Sequence, residues 1–195
     1  MIIGITGGTG SGKTTLLKCI ERCGGLILDC DAIYHHLLQT DKNLLDAINA
    51  RFPGVVEAGT LQRKKLGNIV FSDEQALKDL NAITHSAIKT EVAQQLVHHQ
   101  GLAAIDAIAL FESGLSELCH TTVAILAPKE DRVQRLMYRD NISKEYAQKR
   151  IDAQHNDAWF QDRCDHVLSN CGNAEEFQAK CVAFLQSFGI MEPSN

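Results

Sequence analysis

The chain has 195 residues, 45% hydrophobic and 22% charged, enough to bury ~70% of the unfolded surface in one domain and unlike a disordered or fibrous chain. Its net charge of −5 lacks the basic excess of a dedicated nucleic-acid binder, so no nucleic-acid partner is expected. The longest apolar stretch, Leu102 to Phe111, is interrupted by Asp106 and cannot span a ~30 Å hydrocarbon core, so no membrane partner is expected either.

The first expected strand, Met1–Thr6, runs directly into Gly7-Gly8-Thr9-Gly10-Ser11-Gly12-Lys13-Thr14 and then into an amphipathic helix over Lys13–Arg22. This is a complete G-x-x-x-x-G-K-[ST] phosphate loop in its strand–loop–helix context. The glycines let successive N–H groups turn inward as a nest for phosphate oxygens, and the helix adds its positive N-terminal end. Lys13 has the reach for β- and γ-phosphates, and the Thr14 hydroxyl suits Mg²⁺. The motif predicts a nucleoside triphosphate site.

A second strand, Leu26–Asp29, delivers Asp29 and Asp31 to the same sheet edge as the loop. Two residues apart, they point to one side if the chain stays extended. Asp31 suits a general base that orients an acceptor alcohol in line with the γ-phosphate. The alternative is an Asp that caps a helix starting near Ala32. From about His35 to His99 the sequence shows helical periodicity, notably Asp73–His99, and no convincing strand. It reads as a helical lobe inserted between the second and third strands.

A third strand is expected over Leu102–Leu110, with Glu112 as the lone acid at its end, and a fourth over Thr121–Leu126. Two helices follow, Lys129–Arg139 and Ser143–Ala153. Between Lys129 and Arg150 there are seven basic and four acidic residues, a local excess that suits a cationic lid. Arg132, Arg135 and Arg139 recur at helical spacing, with Arg150 on the next helix; such guanidiniums can close over phosphates, and Arg139 is the first choice. The alternative is a solvated basic face. A weaker strand, His166–Ser169, and a helix, Ala174–Phe188, complete the pattern, and the tail carrying Pro193 is expected to fray.

Strands alternating with helices predict an α/β domain with a mostly parallel sheet. The expected division of the single domain is a core of about 1–34, 100–128 and 157–190, a lobe of about 35–99 and a lid of about 129–156. Seven cysteines, odd in number and without a C-x-x-C pair, suit free thiols in a reducing cytosol. The N-terminus MIIGITGG has no basic n-region, so a secretory leader is not expected and the location is read as cytoplasmic. A zinc site from Cys164, Cys171 and His155 or His166 matches no structural spacing class. Absence of N-K-x-D and D-x-x-G sets the chain apart from switch GTPases. The remaining readings are a small-molecule kinase or a nucleotide-dependent binding protein without transfer activity.

The ordered series D-x-D (Asp29–Asp31), L-x-x-I-T-H ending at His85, L-F-E-S-G-L (Leu110–Leu115) and R-L-x-x-R-D (Arg135–Asp140), together with the phosphate loop, resembles the dephospho-CoA kinase family over nearly the full length. The resemblance implies ATP-dependent phosphorylation of the ribose 3′-hydroxyl of dephospho-CoA, the last step of coenzyme A synthesis, with no obligate protein partner. It implies that Gly8, Thr9, Gly10, Ser11, Gly12, Lys13, Thr14 and Thr15 hold ATP, that Thr14 meets Mg²⁺, and that Asp31 is the catalytic base. It further places Arg63, His85 and Glu112 at the acceptor and Arg139 in the lid, and it implies an α/β P-loop kinase fold with a five-stranded parallel sheet flanked by helices, an inserted helical acceptor lobe and a two-helix lid. Four positions depart from the family pattern: Ser86 and Ile108 replace prolines, and Gln62 and His120 replace aspartates. The lost prolines free backbone that the family fixes.

Overall fold

A computed structural model describes residues 1–192. The chain runs β1 (Ile2–Thr6), α1 (Lys13–Arg22), β2 (Leu26–Asp29), α2 (Cys30–Thr40), α3 (Lys42–Arg51), β3 (Val56–Glu57), β4 (Thr60–Leu61), α4 (Arg63–Val70) and α5 (Glu74–Val97). It continues through β5 (Ala103–Asp106), β6 (Thr121–Leu126), α6 (Lys129–Asp140), α7 (Lys144–Asp152), α8 (Asp157–Gln161), β7 (His166–Ser169) and α9 (Ala174–Gln186). Five strands pair in parallel in the order β2-β5-β1-β6-β7, the sheet expected from the sequence. The edge strand β7 is largely exposed, which explains its weak apolar signal.

Alternation along the strands builds three layers. Ile3 and Ile5 are wholly buried and pack with Leu16, Cys19 and Ile20 of α1 and Phe177, Cys181 and Phe184 of α9. On the opposite face, a Cβ on Gly4 would lie 2.7 Å from Cys119 Sγ and 2.9 Å from Leu110 Cδ2. Only a bare backbone lets the β5–β6 connection sit that close. Leu28 and Ile105 join the helices from α2 to α5 in a second core, while Phe160 of α8 covers Ala124 and Leu126. Val133 and Leu136 of α6 close on Ala147 and Ile151 of α7 as a small cluster of their own.

Three readings are corrected. The segment between β2 and β5 contains a strand pair, β3 with β4, each of two residues; so short a hairpin leaves no period-2 pattern to read. The third strand stops at Asp106 rather than Leu110. Its last pairing is Ala107 N–H to Ile5 O, after which Ser113 N–H and Oγ both donate to Ala109 O and wind the chain into turns. Glu112 therefore lies in a turn, and the acid that ends the strand is Asp106. Beyond Phe188 the chain is tied down as far as Glu192. Ile190 N–H donates to Leu185 O at 3.1 Å and Arg22 Nε donates to Glu192 Oε1 at 2.7 Å; Pro193 lies outside the described residues.

Candidate active site

The phosphate loop bends around glycines with positive φ, of which Gly12 (+105°) caps the N-terminus of α1. Lys13 Nζ donates to Gly7 O at 3.2 Å, folding the ammonium back over the loop. Thr14 is exposed in the first turn of α1, and Thr15 N–H donates to Gly12 O. The outward carbonyls of the loop are matched from outside. Arg132 Nε donates to Thr9 O at 3.0 Å, Arg135 Nη1 to Gly10 O at 3.0 Å, and Asn170 Nδ2 to Ser11 O at 2.7 Å. A Cβ at Gly8 would fall 2.0 Å from Arg132 Nη2, so a side chain at this position would displace the Arg132 guanidinium.

These contacts revise the reading of the α6 arginines. Arg132 is 5% exposed and committed to the Thr9 carbonyl and Gln154, whereas Arg135, tied through Nη1 to Gly10 O and Ser11 O, still borders the space beside the loop. Arg139 stays at the rim. Its Nε and Nη2 donate to Asp140 Oδ1 and Oδ2 at 2.6 and 3.0 Å, and Arg150 Nη1 reaches the same Oδ2 at 2.6 Å. The Arg139 hydrogen bonds, followed by those of Arg150, hold the Asp140 carboxyl down to about 2.

Parallel pairing sets Asp29 beside Asp106, and Asp106 beside Ile5, at the carboxyl ends of three adjacent strands. The chain does not stay extended past Asp29, so the condition on which residues 29 and 31 would point to one side is not met. Asp29 is the N-cap of α2, its Oδ1 accepting from Asp31 N–H at 2.9 Å and Ala32 N–H at 3.0 Å. With the cap supplied by Asp29, the Asp31 carboxylate is exposed and accepts no hydrogen bond among the described residues. A cleft of about 460 Å³ is lined by the loop from Thr9 to Thr14, all three aspartates, Arg135, Arg139 and Arg150. Asp106 was missed as a site residue, although an acid at the end of an apolar run is the available signal. Burial, opposed by Lys13 and reinforced by Asp29 and Asp31, pushes its carboxyl up to about 6. Its Oδ1 is buried without a hydrogen-bond partner among the described residues.

Next to the cleft, a cavity of about 190 Å³ is bounded by Asp31, Tyr34, Thr84, His85, Ile108 and Ser113. His85 is half-buried on α5, and that burial lowers its basicity. Asp31 and Ile108 border both spaces. The Glu112 carboxylate is directed elsewhere: its Oε1 meets His155 Nε2 at 2.8 Å, in a separate depression with Gln154 and Phe160. Arg63 begins α4 exposed to solvent, with Nη2 3.1 Å from His35 Nδ1, and lines neither space. The structure thus brings Asp31 and His85 together, keeps Glu112 beside His85 through its backbone while its carboxylate pairs with His155, and sets Arg63 apart. The arrangement can hold a polyphosphate against the loop and present an exposed carboxylate to an alcohol in the adjoining cavity.

The departures have local outcomes. Ser86 lies within the unbroken 24-residue α5, and His120 Nδ1 accepts Ile2 N–H at 3.0 Å. Gln62 is the N-cap of α4 but makes no side-chain cap hydrogen bond.

Residues 1–176 match the family model described as dephospho-CoA kinase. The chain is 33% identical to the dephospho-CoA kinase of Latilactobacillus sakei, with 94% of each chain covered. It is 33% identical to that of Thermus thermophilus, covering 95% of this chain and 90% of the relative. A crystal structure of a Thermus thermophilus protein, 33% identical, superposes with a TM-score of 0.80 over 96% of this chain and 97% of the other. Dephospho-CoA kinase from Campylobacter jejuni, 27% identical, gives 0.70 over 97% and 98%. Shikimate kinase from Bacteroides thetaiotaomicron, 15% identical with a TM-score of 0.59 over 97% and 98%, shares the fold. With loop, sheet edge and ordered motifs in agreement, the chain belongs to the dephospho-CoA kinase family.

Proposed function

We propose that this protein transfers the γ-phosphoryl group of ATP to the ribose 3′-hydroxyl of dephospho-CoA, giving coenzyme A and ADP. The observation that carries the reading is the shared wall. Asp31 borders the phosphate-loop cleft on one side and the His85 cavity on the other, where a base must stand to receive the proton of an attacking alcohol. Gly8 to Thr15 form the phosphate nest. Lys13 leaves the Gly7 carbonyl for the β- and γ-phosphates, and Arg139 exchanges Asp140 for the transferring group. The proton lost by the 3′-oxygen passes to Asp31 as that oxygen bonds phosphorus and the β–γ bridging bond to ADP breaks.

Mg²⁺ fits the residues present. Among the described residues no group of three or more His, Cys, Asp or Glu side chains forms a metal cage, in keeping with an ion that relies on phosphate oxygens and water plus one or two protein ligands. The exposed Thr14 hydroxyl and the carboxyl of Asp106, with its buried orphan oxygen, would hold it, and it supplies neutralisation of phosphate charge. His85 contacts the acceptor with Glu112 beside it, while Arg63 meets it only if the lobe closes further. The molecule works in the cytoplasm in this reading, and no helix among the described residues is long and apolar enough to cross a membrane.

The test is ADP release with ATP, Mg²⁺ and dephospho-CoA beside AMP, adenosine and no acceptor, with product mass recorded. A gain of one phosphate only with dephospho-CoA is expected. ATP binding with no transfer to any acceptor would replace the kinase by a nucleotide-dependent binding protein.

A further inference from the structure

One contact of the phosphate loop is absorbed neither by the motif nor by the lid. Gln154 lies just past α7, and its Oε1 accepts Thr9 N–H at 2.9 Å and Arg132 Nη2–H at 3.2 Å. Arg132 Nε in turn donates to Thr9 O at 3.0 Å. The three residues close a ring in which both peptide groups flanking the Thr9 α-carbon are held by side chains from α6 and from the residue just past the C-cap of α7. Arg135 and Asn170 hold the next two carbonyls, Gly10 O and Ser11 O. In a trans peptide the N–H points opposite to the C=O. Fixing Thr9 O and Ser11 O on the outside therefore turns Gly10 N–H and Gly12 N–H toward the opposite, phosphate side.

We propose that Gln154 is a positioning residue for the nucleotide: acting through Thr9 and the buried Arg132, it sets the loop in its phosphate-binding shape and anchors the end of α7 to it. The ring needs an acceptor at Oε1 and uses no donor from Gln154, whose amide nitrogen has no partner among the described residues. Arg132 alone cannot substitute. Its guanidinium has no means of accepting the Thr9 N–H, and the carboxylate it pairs with, Asp157, stands 3.7 Å away and half exposed. The inference rests on the nucleotide-binding half of the proposed function and not on the identity of the acceptor.

The experiment measures ADP and dephospho-CoA binding separately by calorimetry for the wild type, Gln154→Met and Gln154→Glu. Methionine keeps length and removes the acceptor, while glutamate keeps the acceptor. The expected result is roughly tenfold weaker ADP binding for Gln154→Met, the loss of about one hydrogen bond, with dephospho-CoA binding unchanged. Gln154→Glu is expected to recover ADP affinity to within about threefold. Unchanged ADP affinity in Gln154→Met overturns the proposal, as does an equal loss for both ligands, which marks a general disturbance of the fold. A failure of wild-type protein to phosphorylate dephospho-CoA would count against the acceptor assignment and leave the ADP comparison standing.

Discussion

Neighbouring aspartates in this molecule do different physical work. Asp29 is committed to two backbone N–H groups of α2, while Asp31 faces the cleft with its oxygens free for a substrate. Asp31→Asn is expected to lower kcat by ~10²–10⁴-fold with ADP binding retained. Asp29→Ala is expected to cost about 1 kcal/mol of stability through the lost cap, seen as a shifted denaturation midpoint. Asp106 behaves differently again. Burial raises its carboxyl to about 6, so the folded state holds a proton that the unfolded chain releases near pH 4. That contribution favours folding at low pH and is lost as pH rises through 6, a change of about 3 kcal/mol for two pKa units. Asp106→Asn should therefore melt higher than wild type at pH 8, melt alongside it near pH 4, and turn over more slowly. Equal melting shifts at both pH values would remove the burial account. The thiols fit a quieter description: burial pushes Cys30, Cys119 and Cys181 up to about 12, which keeps them protonated and unreactive at neutral pH.

Helix termini show where sequence reading succeeds and where it stops. The phosphate loop, the five strands and the long helices were legible because glycine spacing and apolar periodicity are local. Asp31 was legible as a residue of the cleft for the same reason, standing two residues beyond a strand end. The assignment of the cap to Asp29 was not, because it depends on the residue at which the chain leaves the strand. Arg132 and Arg135 share helical spacing with Arg139, yet their partners are carbonyls more than 120 residues earlier; periodicity gives a face but not what lies opposite. Asp106 hid in plain view as the residue that interrupts the apolar run 102–111. At α4, Gln62 holds the N-cap position without capping. Gln62→Asp is expected to add about 1 kcal/mol, read by chemical denaturation, and no gain would mean that the observed backbone at position 62 keeps the carboxylate from the first turn.

Across the whole molecule, apolar contacts are not one continuous mass. The α6–α7 hairpin has its own small cluster, and its hold on the rest runs through Arg132, Arg135 and Gln154 at its base. A unit with so few apolar ties opens at lower free energy than the sheet. Amides near Tyr138 to Lys144 are expected to exchange before those of β1 and β6, with protection rising when ATP binds; exchange of the hairpin in step with the sheet would show a single cooperative unit instead.

The wall that Asp31 and Ile108 place between the two cavities has a consequence for inhibitor chemistry. In the proposed reaction the two reactants lie end to end across this wall, and a single compound joining an adenosine polyphosphate to the acceptor's ribose is then expected to occupy both spaces at once. Such a bisubstrate mimic loses translational freedom once rather than twice, and the second half binds at the high effective concentration set by the linker. Its optimum tether length would measure, in solution, the distance the phosphoryl group travels.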